Sequence, residues 1–179
     1  MKNFIIFIFL SVFSGCFMVQ KTQNKLVQED ILEQTDPKIA ELKEAFKFHK
    51  DKKYVSALNI FKHKADNGND EAMYMLGVYN IKGYASSRDY AAALHYFKLA
   101  GFNANAKALR MAGYMYENGM GTKKDHKKAV RYYKLSAQAG EMLANLSLGE
   151  FYLAQGEKDK AGEYFTKACI GGVNEACVR

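Results

Sequence analysis

Proline is almost missing from this chain: Pro37 is the sole example in 179 residues, and tryptophan is absent. A loop-rich β architecture needs more of the residues that pre-set turns, whereas 49% hydrophobic residues with 12 phenylalanines and 12 tyrosines are enough to fill a helical core. An all-α domain is therefore expected. Histidine is equally sparse. His49, His63, His95 and His126 stand singly, and a metal centre needs clustered ligands, so no metal and no cofactor is expected. No serine has lysine three residues later, as a Ser-x-x-Lys nucleophile requires, and no glycine-rich stretch ends in Gly-Lys-Ser/Thr; GYMYENGMG, residues 113–121, reads as a helix and a turn. Glu29, Asp30 and Glu33 read as a solvated tether rather than as a general acid and base. No catalytic residues are assigned.

Long apolar runs are confined to the start. Phe4 to Phe13, FIIFIFLSVF, follows one lysine, a signal-peptide pattern. Extended to Val19 it reaches 16 residues, fewer than the roughly 20 that a helix needs to cross a bilayer. Phe13-Ser14-Gly15-Cys16 resembles a bacterial lipobox, in which the cysteine is lipidated and becomes the mature N-terminus. The resemblance implies a signal peptide over residues 1–15, an acylated Cys16, a tether over 16–36 and an exported protein anchored to a membrane. It would face the periplasm or the cell surface; the alternative is a soluble periplasmic or secreted chain.

Cysteines outside the cytoplasm are usually oxidised. Beyond Cys16, only Cys169 and Cys177 remain. A zinc site finds no histidine within 42 residues of Cys169, and the spacing is not the Cys-x-x-Cys of a thioredoxin-like centre. A structural disulfide is the favoured reading.

What is abundant is repetition. Ala72, Ala108 and Ala144 are 36 residues apart, as are Gly77, Gly113 and Gly149. Ala57, Ala93 and Ala129 keep that interval and reach Ala161 after 32; Phe61, Phe97, Tyr133 and Phe165 follow in step, and so do Gly68, Ala104, Gly140 and Gly172. The deficit falls in one loop, where residues 118–125 become 155–159. Each unit reads as two helices, with Ala72, Leu76 and Asn80 on one face of a first helix and small and aromatic residues, as in AVRYY at 129–133, on a second. A degenerate first unit is expected from about Pro37, with Asp36 as N-cap, giving a repeat domain over 37–179 with about four helix pairs.

These residues resemble the Sel1-like repeat, a relative of the tetratricopeptide repeat. The matches are Leu76-Gly77, Tyr79, Gly83, Asp89-Tyr90, Ala93 and Tyr96-Phe97, then Ala112-Gly113, Tyr116, Gly119, Gly121, Asp125, Ala129, Tyr132-Tyr133 and Gly140. The resemblance implies an α/α solenoid of stacked helix-turn-helix units. The Cys-x7-Cys pair joining one unit to the next helix looks like the Helicobacter cysteine-rich proteins, some of which are described as penicillin-binding or β-lactamase-like. That implies β-lactam binding or hydrolysis as the alternative to a binding role.

The formal net charge of +7 lies mostly in residues 72–179, which hold 15 basic and 9 acidic residues. The densest run is Lys123, Lys124, Lys127, Lys128, Arg131 and Lys134, read as a solvated face; nucleic acid is not an expected partner of an exported protein. Concave solenoid surfaces grip ligands. The first-helix face away from the packing alanines carries Tyr74 and Val78, Arg110 and Tyr114, Leu146 and Glu150, equivalent positions that differ in chemistry from unit to unit. The sequence thus implies a protein-binding adaptor, tethered by lipid in the bacterial cell envelope, with these six residues as the contact face.

Overall fold

The structure, a computed structural model, describes residues 36–179. The described residues fall into two units, 36–43 and Glu44–Arg179. In the first, the described residues hold helix α1, Pro37–Ala40, a single turn whose N-cap Asp36 accepts the Lys38 amide hydrogen at 2.8 Å. Proline at the first helical position has no amide hydrogen to leave unpaired. Helix α1 buries none of its residues, so the helix pairs begin after it.

The pairs are α2 (Lys43–Lys50) with α3 (Tyr54–Asp66), α4 (Asp70–Lys82) with α5 (Tyr90–Phe102), α6 (Ala106–Asn118) with α7 (His126–Gln138), and α8 (Leu143–Ala154) with α9 (Lys158–Ile170). A 3-10 turn, Asn174–Ala176, follows. From α3 onward each helix packs on the next, and the described residues contain no strand. This is an all-α solenoid.

Capping sets the helix starts at the same point in successive units. Asn69, Asp89, Asn105 and Asp125 each accept the amide hydrogen three residues on, at 2.9 Å, which satisfies one donor that the first turn leaves open. Gly83 and Gly119 close α4 and α6 in the left-handed conformation, φ 69° and 71°, where a Cβ would be strained.

The repeating columns are the core. Ala72, Ala108, Ala144, Ala57, Ala93 and Ala129 are fully buried, as are Phe61 and Phe97, with Tyr133 and Phe165 nearly so. The small residues let helices approach, and the glycine column fits the aromatic column within each pair. A Cβ on Gly77 would lie 2.5 Å from Phe97, one on Gly113 2.7 Å from Tyr133, and one on Gly149 2.5 Å from Phe165. The period of 36 therefore places one ring against one bare stretch of helix backbone per unit.

Candidate protein-binding face

Polar residues join successive first helices at their N-terminal ends. The Asn105 side-chain amide caps α6 and also donates to Asp70 Oδ2 and Glu71 Oε2 on α4, both at 3.1 Å. Lys107 Nζ adds an ion pair to Glu71 at 3.8 Å, and Arg110 Nε lies 3.6 Å from Glu141 Oε1, just ahead of α8. Ser136, fully buried on α7, donates to the Ala106 carbonyl at 2.7 Å. These contacts fix the register of the first helices. Asn105 and Glu71 were not singled out in the sequence, although the offset of 36 between Asn69 and Asn105 was available as a signal.

The six expected contact residues separate once placed on this frame. Tyr114 is 45% exposed. Arg110 is a quarter exposed, and its buried Nε has the Glu141 carboxylate nearby but no hydrogen-bond partner. Val78 is half-buried. Tyr74 is also half-buried, with its ring 5.7 Å from Phe97 and its phenol held above the ordinary range by burial, which the Arg110 charge partly offsets. Glu150 is exposed and 3.5 Å from Arg179 Nη2. Leu146 differs: it is 8% exposed, packed with Ala161, Phe165, Ala168 and Ala176. Leu146 therefore belongs to a core cluster and not to an exposed face, a correction to the six-residue expectation.

Cys169 and Cys177 are joined by a disulfide, with Cα atoms 4.9 Å apart. It ties the last turn of α9 to the residue after the 3-10 turn, and Ala176 beside it is buried in the terminal cluster. Cys16 and the signal segment lie outside the described residues.

The remaining candidates are accounted for by packing. His49 Nδ1 is hydrogen-bonded to the Tyr79 hydroxyl at 2.8 Å, and the His126 ring lies edge-on to Phe151 at 5.4 Å, while His63 and His95 are exposed. Among the described residues, no three His, Cys, Asp or Glu side chains converge as metal ligands would. Lys123, Lys124, Lys127, Lys128, Arg131 and Lys134 are exposed, with Lys128 pairing with Asp125 at 3.2 Å. The backbone amide of Lys128 holds the Asp125 carboxyl below its ordinary range. No helix of the described residues is long and apolar enough to cross a membrane.

A solenoid of helix pairs with an aromatic-on-glycine contact in the second, third and fourth pairs defines a class of repeat scaffold, and the comparisons specify it. The Sel1 repeat model matches residues 70–101, 106–141 and 143–173, more than half of the chain. The chain belongs to the Sel1 repeat family. Among solved structures it is similar to a Sel1 repeat protein from Oxalobacter formigenes, at 28% identity and TM-score 0.62, covering 69% of this chain and 52% of that one. It is also similar to c5321, a protective antigen of uropathogenic Escherichia coli strains with an SLR fold, at 27% identity and TM-score 0.69, covering 86% of this chain and 34% of that one. MamA shares the fold at 22% identity and TM-score 0.57. The chain thus spans about half of the first of these proteins and about a third of the second. No curated protein matches it.

Proposed function

We propose that this protein is an adaptor of the bacterial cell envelope, exported, lipidated at Cys16, and binding a protein partner through the first-helix face of its solenoid. Sel1 repeat proteins are protein-interaction scaffolds, which supports the class of activity. The observation that carries the choice of surface is the contrast between columns. The alanine columns, the aromatic column and Gly77, Gly113 and Gly149 repeat from unit to unit and are buried, while the equivalent positions 74 and 110 hold tyrosine and arginine, and 78, 114 and 150 hold valine, tyrosine and glutamate. Packing demands the same chemistry in every unit; a partner with its own irregular surface does not. Tyrosine and arginine are enriched at binding hot spots, and Tyr74 and Arg110 are half-buried, which reduces the rotamer entropy they lose on binding.

Export and the anchor rest on the ten-residue apolar run and on Ser14-Gly15-Cys16. Acyl chains contribute about 0.8 kcal/mol per buried CH₂. Labelled palmitate should enter the wild type and not Cys16→Ser; equal labelling would remove the anchor from the proposal. Arg110→Ala with Tyr114→Ala should abolish capture of a specific partner in an envelope cross-linking pull-down while leaving the helical content intact. Unchanged capture would move the interface elsewhere.

A further inference from the structure

In the third and fourth units, a tyrosine from the first helix stacks on one from the second and lies beneath a lysine. Tyr116 lies on Tyr132 with ring centroids 5.4 Å apart and 12° between planes, and Lys128 Nζ stands 5.2 Å over Tyr116. Tyr152 lies on Tyr164 at 5.5 Å and 7°, with Lys160 Nζ 5.3 Å over Tyr152. The second unit keeps the lower ring, Tyr96, but has Asn80 where the others have the upper tyrosine and Ala92 where they have lysine. A cavity of about 190 Å³ opens there, lined by Tyr96, Asn80 and Ala92 together with Leu58, Leu76 and Lys62. The Asn80 side-chain amide donates to the Leu76 carbonyl at 2.8 Å, which holds the short side chain back along its own helix.

We infer that this cavity is a receptor for a tyrosine side chain of a protein partner, seated on Tyr96 as Tyr116 is seated on Tyr132. Three features fit that occupant. The volume is sufficient, since an apolar cavity of roughly 150 Å³ accepts benzene. The lining includes Tyr96, at the position of the lower ring in the next two units, and two leucines, and offset stacking of aromatic rings is favourable beyond the area it buries. Lys62 also lines the cavity, so its flexible side chain can reach a seated ring, as Lys128 and Lys160 lie over the internal rings, where a cation above a ring face is attracted. The first-helix face of the adaptor proposal is not used, so either can fail without the other.

The test is an NMR titration of the full chain with N-acetyl-tyrosinamide, and with N-acetyl-leucinamide as the aliphatic control. The tyrosine probe should shift the amide signals of Leu58, Leu76 and Ala92 saturably, with a dissociation constant on the order of 1 mM and about tenfold weaker binding of the leucine probe. Asn80→Tyr with Ala92→Lys installs the side chains of the third and fourth units and should abolish the saturable shifts, because the ring site is then filled from within. Tyr96→Leu removes the lower ring and should weaken binding by about tenfold, a readout that remains if the double variant does not fold. Non-saturable shifts, equal response to the two probes, or unchanged binding in either folded variant would overturn the assignment.

Discussion

Alanine at Gly113 should destabilise the protein, and the same substitution at Gly162 should stabilise it, although both glycines lie inside helices. A helical glycine costs about 0.5–1 kcal/mol relative to alanine through backbone entropy, so the local term favours alanine at both sites. The packing term separates them. The Cβ at 113 would lie 2.7 and 2.8 Å from Tyr133 ring carbons and 3.2 Å from the Ala129 carbonyl oxygen, while at 162 no atom comes within 4 Å. Tyr133 cannot swing aside, because it is 1% exposed and donates its hydroxyl hydrogen to Glu117 at 2.6 Å. Overpacking of a closed core costs about 1–3 kcal/mol, so Gly113→Ala should lose about 1–2 kcal/mol net, and Gly162→Ala should gain about 0.5 kcal/mol or more. Urea unfolding followed by far-ultraviolet circular dichroism measures both. Stabilisation by Gly113→Ala would refute the ring-on-backbone contact that recurs in the second to fourth pairs.

Ala104 holds φ 64°, where its counterparts Gly68, Gly140 and Gly172 hold 86°, 95° and 88°; Ala104→Gly should therefore stabilise the fold by about 0.5–1 kcal/mol once the added unfolded-state entropy is subtracted, seen as a higher midpoint of urea unfolding. Replacing both Cys169 and Cys177 with serine should cost up to about 2.5 kcal/mol in the chain-entropy model, and hydrogen exchange should show residues 166–179 opening first while α4 to α7 keep their protection, since solenoid contacts are local. Burial, then the neighbouring Tyr54 and Tyr84, raises the Tyr79 phenol from 10.0 to about 12, and burial with the Glu117 hydrogen bond raises Tyr133 further. Between pH 10 and 12 the unfolded chain thus releases these protons first, so their stabilisation, complete below pH 10, should fall as pH rises, by about 1.4 kcal/mol per unit for each phenol; a flat stability profile across that window would contradict the placement of the two hydroxyls.

The helix pairs and their core were legible because burial imposes the same demand in every unit: Ala72, Ala108 and Ala144 meet the same neighbours, so they recur at the same offset. The last disulfide was legible for a related reason, as Ala176 marks the start of a further turn that returns Cys177 to Cys169. The contact face was less so. An offset of 36 identifies equivalent positions but not their surroundings, and Leu146 is buried against Ala161, Phe165, Ala168 and Ala176, neighbours that the spacing alone does not reveal. The cavity beside Tyr96 was the hardest to read, since it arises from two side chains that are too small, Asn80 and Ala92, 12 positions apart on different helices. Only the stacked rings of the next two units show what those positions hold elsewhere in the chain.

The adaptor account is tested most directly by a photo-crosslinking amino acid placed at position 114, on the exposed first-helix face, and at position 55, a still more exposed site on α3. Crosslinking in intact cells should give one discrete adduct with an envelope protein from position 114 and none from position 55. The same adducts from both positions, or none from position 114, would contradict binding through that face.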